Sequence, residues 1–141
     1  MLQGSTEGAV QALAKLVHQT PANASLWTAM ADQMIGKRHS NAPYLSSTIA
    51  VSNTSLSMLA ASSSATAQEK SLAYYDFARA LIQQREHNKV RKRKAKEAPP
   101  PDRRHDIITA AQRAVFLAPW DTKAWTLLGI AKSCMSETIE T

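Results

Sequence analysis

The chain has 141 residues, 44% hydrophobic and 20% charged, with a net charge of +6 and a pI near 9.7; it is long enough to bury one modest core and too apolar to be wholly disordered. No run approaches the roughly 18–20 apolar residues that a membrane helix requires, and the start MLQGSTEGAV lacks the basic and apolar regions of a secretory signal. The single cysteine, Cys134, excludes an internal disulfide, and no Cys/His cluster has metal-ligand spacing.

Residues 1–7 read as a flexible N-terminus. From Gly8 to Gln19 the apolar Val10, Leu13, Leu16 and Val17 recur at helical spacing, with Gln11, Lys15 and Gln19 off the stripe. This predicts an amphipathic helix ended by Pro21, which has no N–H to continue it. Asn23 or Ser25 then caps a second helix through Leu26, Trp27, Met30, Ala31 and Met34, stopped by Gly36 and the polar KRHSN run. Residues 43–67 are rich in serine and contain the poor helix formers Thr48, Ile49, Val51 and Thr54. No period-two alternation survives there, and Tyr44, Leu45, Ile49, Leu56 and Leu59 favour a third helix over a strand. Thr66 stands three before Glu69, the spacing of a capping box, and opens a fourth helix over 69–86. Leu72, Tyr75, Ala78 and Ile82 share one face of it and Tyr74, Phe77 and Leu81 the next, so this helix should be buried on two sides.

Residues 89–105 lose the apolar stripe and include three prolines at 99–101, which predicts a disordered basic loop. The helical pattern resumes at Asp106, expected to cap a fifth helix through Ala110, Ala114, Val115 and Leu117. That helix stops before Pro119, and Asp121 or Thr122 caps a sixth presenting Trp125, Leu128 and Gly129 on one face. The absent side chain of Gly129 suggests close approach by a neighbouring helix. Residues 8–88 therefore form one helical segment and 106–134 a helical hairpin, followed by a flexible 135–141.

The excess charge has an address. Residues 85–104 hold nine Lys/Arg against Glu86, Glu97 and Asp102, and the rest of the chain is neutral. The run VRKRKAK reads as a solvated loop, a nuclear-localisation-like address or a phosphate tether, with Lys89, Arg91, Lys92, Arg93, Lys94 and Lys96 as RNA-phosphate contacts in the last case. It has no interleaved aromatics, so base stacking is not indicated.

No catalytic constellation stands out. His18, His39, His87 and His105 are scattered, and the four glycines form no phosphate loop. The expectation is a non-enzymatic protein of the cytoplasm, with the nucleus as the alternative, without cofactor, metal, membrane or small-molecule substrate. Trp27 and Trp125, on apolar helical faces after a proline turn, read as core residues; Trp120, between two helices, is the candidate protein-contact residue.

The clearest signal is a duplication. Pro21, Asn23, Trp27 and Thr28 recur ninety-eight positions later as Pro119, Asp121, Trp125 and Thr126. Upstream, Val10 matches Ile108, Leu13 matches Ala111, Leu16 matches Ala114 and Val17 matches Val115. A Pro-x5-Trp spacing found twice, each time between two apolar helices, points to a repeated helix-turn-helix unit in an all-α, solenoid-like chain.

Trp125-x2-Leu128-Gly129, preceded by Ala114 and Pro119, resembles the tetratricopeptide repeat. The copies depart from the family's pattern: Lys132 stands where a tyrosine is usual, Ala111 where an aromatic is usual, and Met30-Ala31 replaces Leu-Gly. LAKLVHQTPANASLWTAM and AAQRAVFLAPWDTKAW further resemble segments in the C-terminal part of the tetratricopeptide scaffold subunits of superkiller complexes, with the basic stretch between them resembling an insertion. The resemblance implies a scaffold that joins helicase and WD-repeat subunits and serves the delivery of mRNA to the cytoplasmic exosome for 3′-to-5′ decay. Those scaffolds are far longer, so the resemblance implies that the chain is a fragment of one or a truncated gene product. It would end past the first helix of a repeat, with Trp125, Leu128 and Ile130 short of partner surface. The other reading is a basic helical domain that binds RNA non-specifically through the 89–104 loop.

Overall fold

The computed structural model describes residues 2–36, 42–90 and 102–136. Six helices run through them: α1 Leu2–Gln19, α2 Ala24–Gly36, α3 Ala42–Ala61, α4 Ala67–Val90, α5 Arg104–Leu117 and α6 Thr122–Ser136. There is no strand among the described residues. The fold is all-α.

Each helix packs on the next, and α4 also touches α2 and α6, so α4 contacts four of the other five helices. The two apolar faces expected of it explain this position. Phe77, Ala78 and Leu81 meet Ile107, Ile108, Ala110 and Ala111 of α5 and Leu127 and Ala131 of α6 in the largest cluster. Ala80 closes a second cluster with Ala31, Met34 and Ile35 of α2 and Val51 of α3. Tyr74 and Tyr75 lean on a third made by Ala114, Val115 and Ala124.

The side chains of α4 also finish its neighbours. The last carbonyls of a helix have no partner within it. Gln83 donates from Nε2 to the Ile35 carbonyl of α2 at 2.7 Å, and the buried Ser71 Oγ donates at 2.8 Å to the Ala114 carbonyl of α5, which also accepts from the Ala118 N–H. The capping box at the start of α4 forms as expected. The Glu69 N–H bonds Thr66 Oγ1 at 3.1 Å, and the Thr66 N–H bonds Glu69 Oε1 at 3.3 Å.

Helix α3 hides a different face from the apolar one read in its sequence. Thr48, Val51, Ser52, Ser55 and Leu59 are buried at helical spacing, whereas Ile49 and Leu56 are half-buried. Hydroxyls can be buried here where they find partners: Ser55 Oγ lies 2.6 Å from Thr28 Oγ1 of α2. Small side chains on this face let three helices come close.

Three boundaries differ from expectation. The first helix begins at Leu2, six residues before the periodic stretch, and α4 runs on to Val90, with Glu86 and Lys89 paired at 3.4 Å on its last turn. Asp106 does not cap α5. The helix starts at Arg104, and Asp106, inside the first turn, accepts from Arg103 Nε at 2.9 Å. An acid in the first turn is favourable there whether or not it caps.

Candidate functional site

The repeated turn is built twice with the same bonds. In each copy the carbonyl before the proline accepts from the N–H three residues on: Asn23 to Thr20 at 3.1 Å, Asp121 to Ala118 at 3.0 Å. Proline thus takes the second position of a four-residue turn, where its fixed φ suits the geometry. Asn23 Oδ1 and Asp121 Oδ1 then accept from the N–H two residues later, at 3.1 and 3.0 Å. Upstream, the Thr20 and Ala118 N–H groups bond the carbonyls of Leu16 and Ala114, and downstream Thr28 and Thr126 bond those of Ala24 and Thr122.

The proline carbonyl is left over by the turn bond, and the tryptophan takes it. Trp27 Nε1 donates to the Pro21 carbonyl and Trp125 Nε1 to the Pro119 carbonyl, each at 2.8 Å. This gives the Pro-x5-Trp spacing its physical reason: an indole is a donor without an acceptor, and six residues on is where its N–H reaches back to the turn.

The expected core placement of Trp125 is corrected. Its ring is 52% exposed, and the buried face of α6 is Ala124, Leu127, Ala131 and Cys134. Trp27 is half-buried and packs on the cluster around Ala31. Gly129 is corrected too, since a Cβ built there would meet nothing within 4 Å and no described helix approaches it. Leu128 packs partly against two clusters, and Ala114 is fully buried.

Trp120 is exposed, as expected for a contact residue. It is the third residue of the second turn, where the first turn has Ala22, and its ring is 66% exposed with Nε1 donating to Gln68 Oε1 at 3.0 Å. Phe116, 84% exposed, lies one turn before it. Three large rings therefore come to the surface within ten residues of chain, around a turn braced against the start of α4.

The opposite end of α4 is the basic one. Lys89 lies there, while Arg91, Lys92, Arg93, Lys94 and Lys96 fall outside the described residues. The arginines at the start of α5 are engaged by carboxylates: Arg103 by Asp106, and Arg104 by Asp102 at 3.0 Å. Those bonds from Arg104 hold the Asp102 carboxyl below its ordinary range.

Between α3, α4 and α5 runs an open groove lined by Leu56, Tyr74, Phe77, Asp106, Thr109, Ala110 and Arg113. The Arg113 guanidinium lies 5.7 Å from the Tyr74 ring centre, and that of Arg103 lies 5.7 Å from the Phe77 ring centre. Such stacking braces a surface. Among the described residues no group of acids, histidines and cysteines is placed to hold a metal ion, and no helix is long and apolar enough to cross a membrane.

The feature missed in sequence is Asp76. It is only 2% exposed on α4, paired with Arg79 at 3.4 Å, and Arg79 in turn reaches Asp32 of α2 at 3.8 Å. Burial pushes the Asp76 carboxyl up to about 7, with the charge of Asp32 adding to the rise and Arg79 opposing it. Its neighbours Tyr75, Phe77 and Ala78 could have flagged an acid on an apolar face. No family model, curated protein or solved structure matches this sequence.

Proposed function

We propose that the chain is a protein-interaction module of tetratricopeptide-like helical repeats, acting as part of a superkiller-type scaffold in cytoplasmic 3′-to-5′ mRNA decay. The observation that carries this reading is the twice-built proline turn, in which the residues that resemble the repeat family make the same bonds at both places. Such units present helical surface to other proteins and need no catalytic group. The exposed rings of Phe116, Trp120 and Trp125 are the kind of side chain on which contacts concentrate.

The test is direct. Purified chain is mixed with the helicase and WD-repeat subunits of a superkiller complex and run by size exclusion. Co-elution with at least one subunit is expected, and it should persist when Lys89, Arg91, Lys92, Arg93, Lys94 and Lys96 are replaced by glutamine. If the folded chain binds neither subunit, and the same replacements abolish binding to a single-stranded RNA, the chain is instead a basic RNA-binding helical domain.

A further inference from the structure

The duplication allows one face to be compared in two settings. Each residue of α2 has a counterpart in α6 ninety-eight positions on. On α2, Ala31, Met34 and Ile35 are buried at 1%, 3% and 1% exposure, and Val51 of α3 and Ala80 of α4 belong to the same cluster. Their counterparts on α6 are Gly129, Lys132 and Ser133, all exposed beside Trp125. The same face of the same unit is covered once and, among the described residues, open once.

We propose that the Trp125, Gly129 and Lys132 face of α6 docks an acidic amphipathic helix of another polypeptide, seated as α3 is seated on α2; this rests on the interaction-module reading above. The chemistry of the occupant follows from the first copy. The buried side of α3 is made mostly of small residues, Thr48, Val51, Ser52 and Ser55, with Leu59 the one large side chain. Gly129 in place of Ala31 removes one more methyl and lets such a helix come closer still. Charge sets the rest. Lys123 and Lys132 are the charged residues of α6, which has no acid, and Lys132 replaces the buried Met34. A helix closing over Lys132 must bring a carboxylate or leave the ammonium unpaired as it is desolvated.

The register is set by the Thr28–Ser55 contact. Counting from it along antiparallel helices brings Ser52 to Ala31 and Ile49 to Met34, and Ile49 packs in that cluster together with Val51, the neighbour of Ser52. The carboxylate belongs where α3 has Ile49.

A fluorescein-labelled peptide with the sequence of α3, Ala42–Ala61, carrying Ile49→Glu, serves as the probe. Titrated with the full chain and followed by anisotropy, it should bind saturably and more tightly than the unaltered peptide. Gly129→Leu should weaken it about tenfold or more, as expected for blocking a central contact. Open space around Gly129 leaves the chain's own packing undisturbed, which circular dichroism checks. Lys132→Glu should also weaken binding and be rescued by the peptide carrying Ile49→Lys. The proposal is overturned by the absence of saturable binding, or by binding that Gly129→Leu leaves unchanged, as when the peptide displaces α3 from α2. Self-association of the chain that Gly129→Leu abolishes overturns it as well, because a second copy then covers the face. Should any of these occur while the superkiller subunits still co-elute with the chain, the docking face fails alone. Loss of co-elution from a folded chain removes the wider reading.

Discussion

An acid inside an apolar helix-packing surface has to find either a cation or a proton, and Asp76 has a share of both. Arg79 is within reach on the same helix but divides its charge with Asp32, so burial prevails and the folded carboxyl holds its proton up to about pH 7. In the unfolded chain the same group ionises near 3.8. Between these values the folded state binds the extra proton, so stability falls as pH rises from about 4 to 7 and the loss is complete above that. A shift of this size corresponds to something on the order of 4 kcal/mol. Asp76→Asn, which resembles the protonated acid, should therefore melt above the wild type by a much smaller margin at pH 5 than at pH 8. Comparing the two proteins at each pH cancels every contribution they share. Equal melting differences at pH 5 and pH 8 would show that Asp76 is ionised in the folded state at both.

At the scale of elements, the proline turn with its tryptophan behaves as one bonded unit, and its two copies differ in how far the ring is covered. Trp27→Phe and Trp125→Phe keep a ring and remove the donor, and each should cost about 1 kcal/mol in urea unfolding, the usual net worth of one hydrogen bond. Trp27→Ala should cost clearly more than Trp125→Ala, because only Trp27 packs on a core cluster. Trp120→Ala, with an exposed ring, should stay within about 0.5 kcal/mol of the wild type. Equal losses for the two tryptophan-to-alanine variants would mean that Trp125 is buried after all. The same elements show what could be read in sequence. All six helices were visible from apolar spacing and proline stops, because those are local signals. The packing of α3 was not, since its buried face mixes Thr48, Ser52 and Ser55 with Val51 and Leu59, and the hydroxyl that meets Ser55 comes from Thr28 of α2, which no local pattern names. The duplication was legible residue by residue, yet the exposure of Trp125 and Gly129 was not, because burial is decided by which helix comes next in space.

At the scale of the molecule, the placing of α4 decides how the chain should unfold. In an array where each unit touches only the next, stability is shared out along the chain and loss can spread from any point. Here α4 contacts α2, α3, α5 and α6, carries buried residues of the two larger clusters, and caps the carbonyl ends of α2 and α5. Opening α4 undoes nearly everything. By contrast α1 packs on α2 alone, with Leu16 exposed and Val17 as its one buried side chain among those described. Local opening requires little where few apolar contacts are broken. Hydrogen exchange should accordingly be slowest in the middle of α4, around Ala73 to Leu81, where amides open only with the whole fold, and fastest among the helices in α1. Leu81→Ala should cost about 2–5 kcal/mol and speed exchange in α2, α5 and α6 together. Leu13→Ala should speed exchange in α1 and leave α5 and α6 at their wild-type rates. If α1 amides instead exchange as slowly as those of α4, and Leu13→Ala accelerates every helix alike, the chain unfolds as a single unit and α4 has no special place in it.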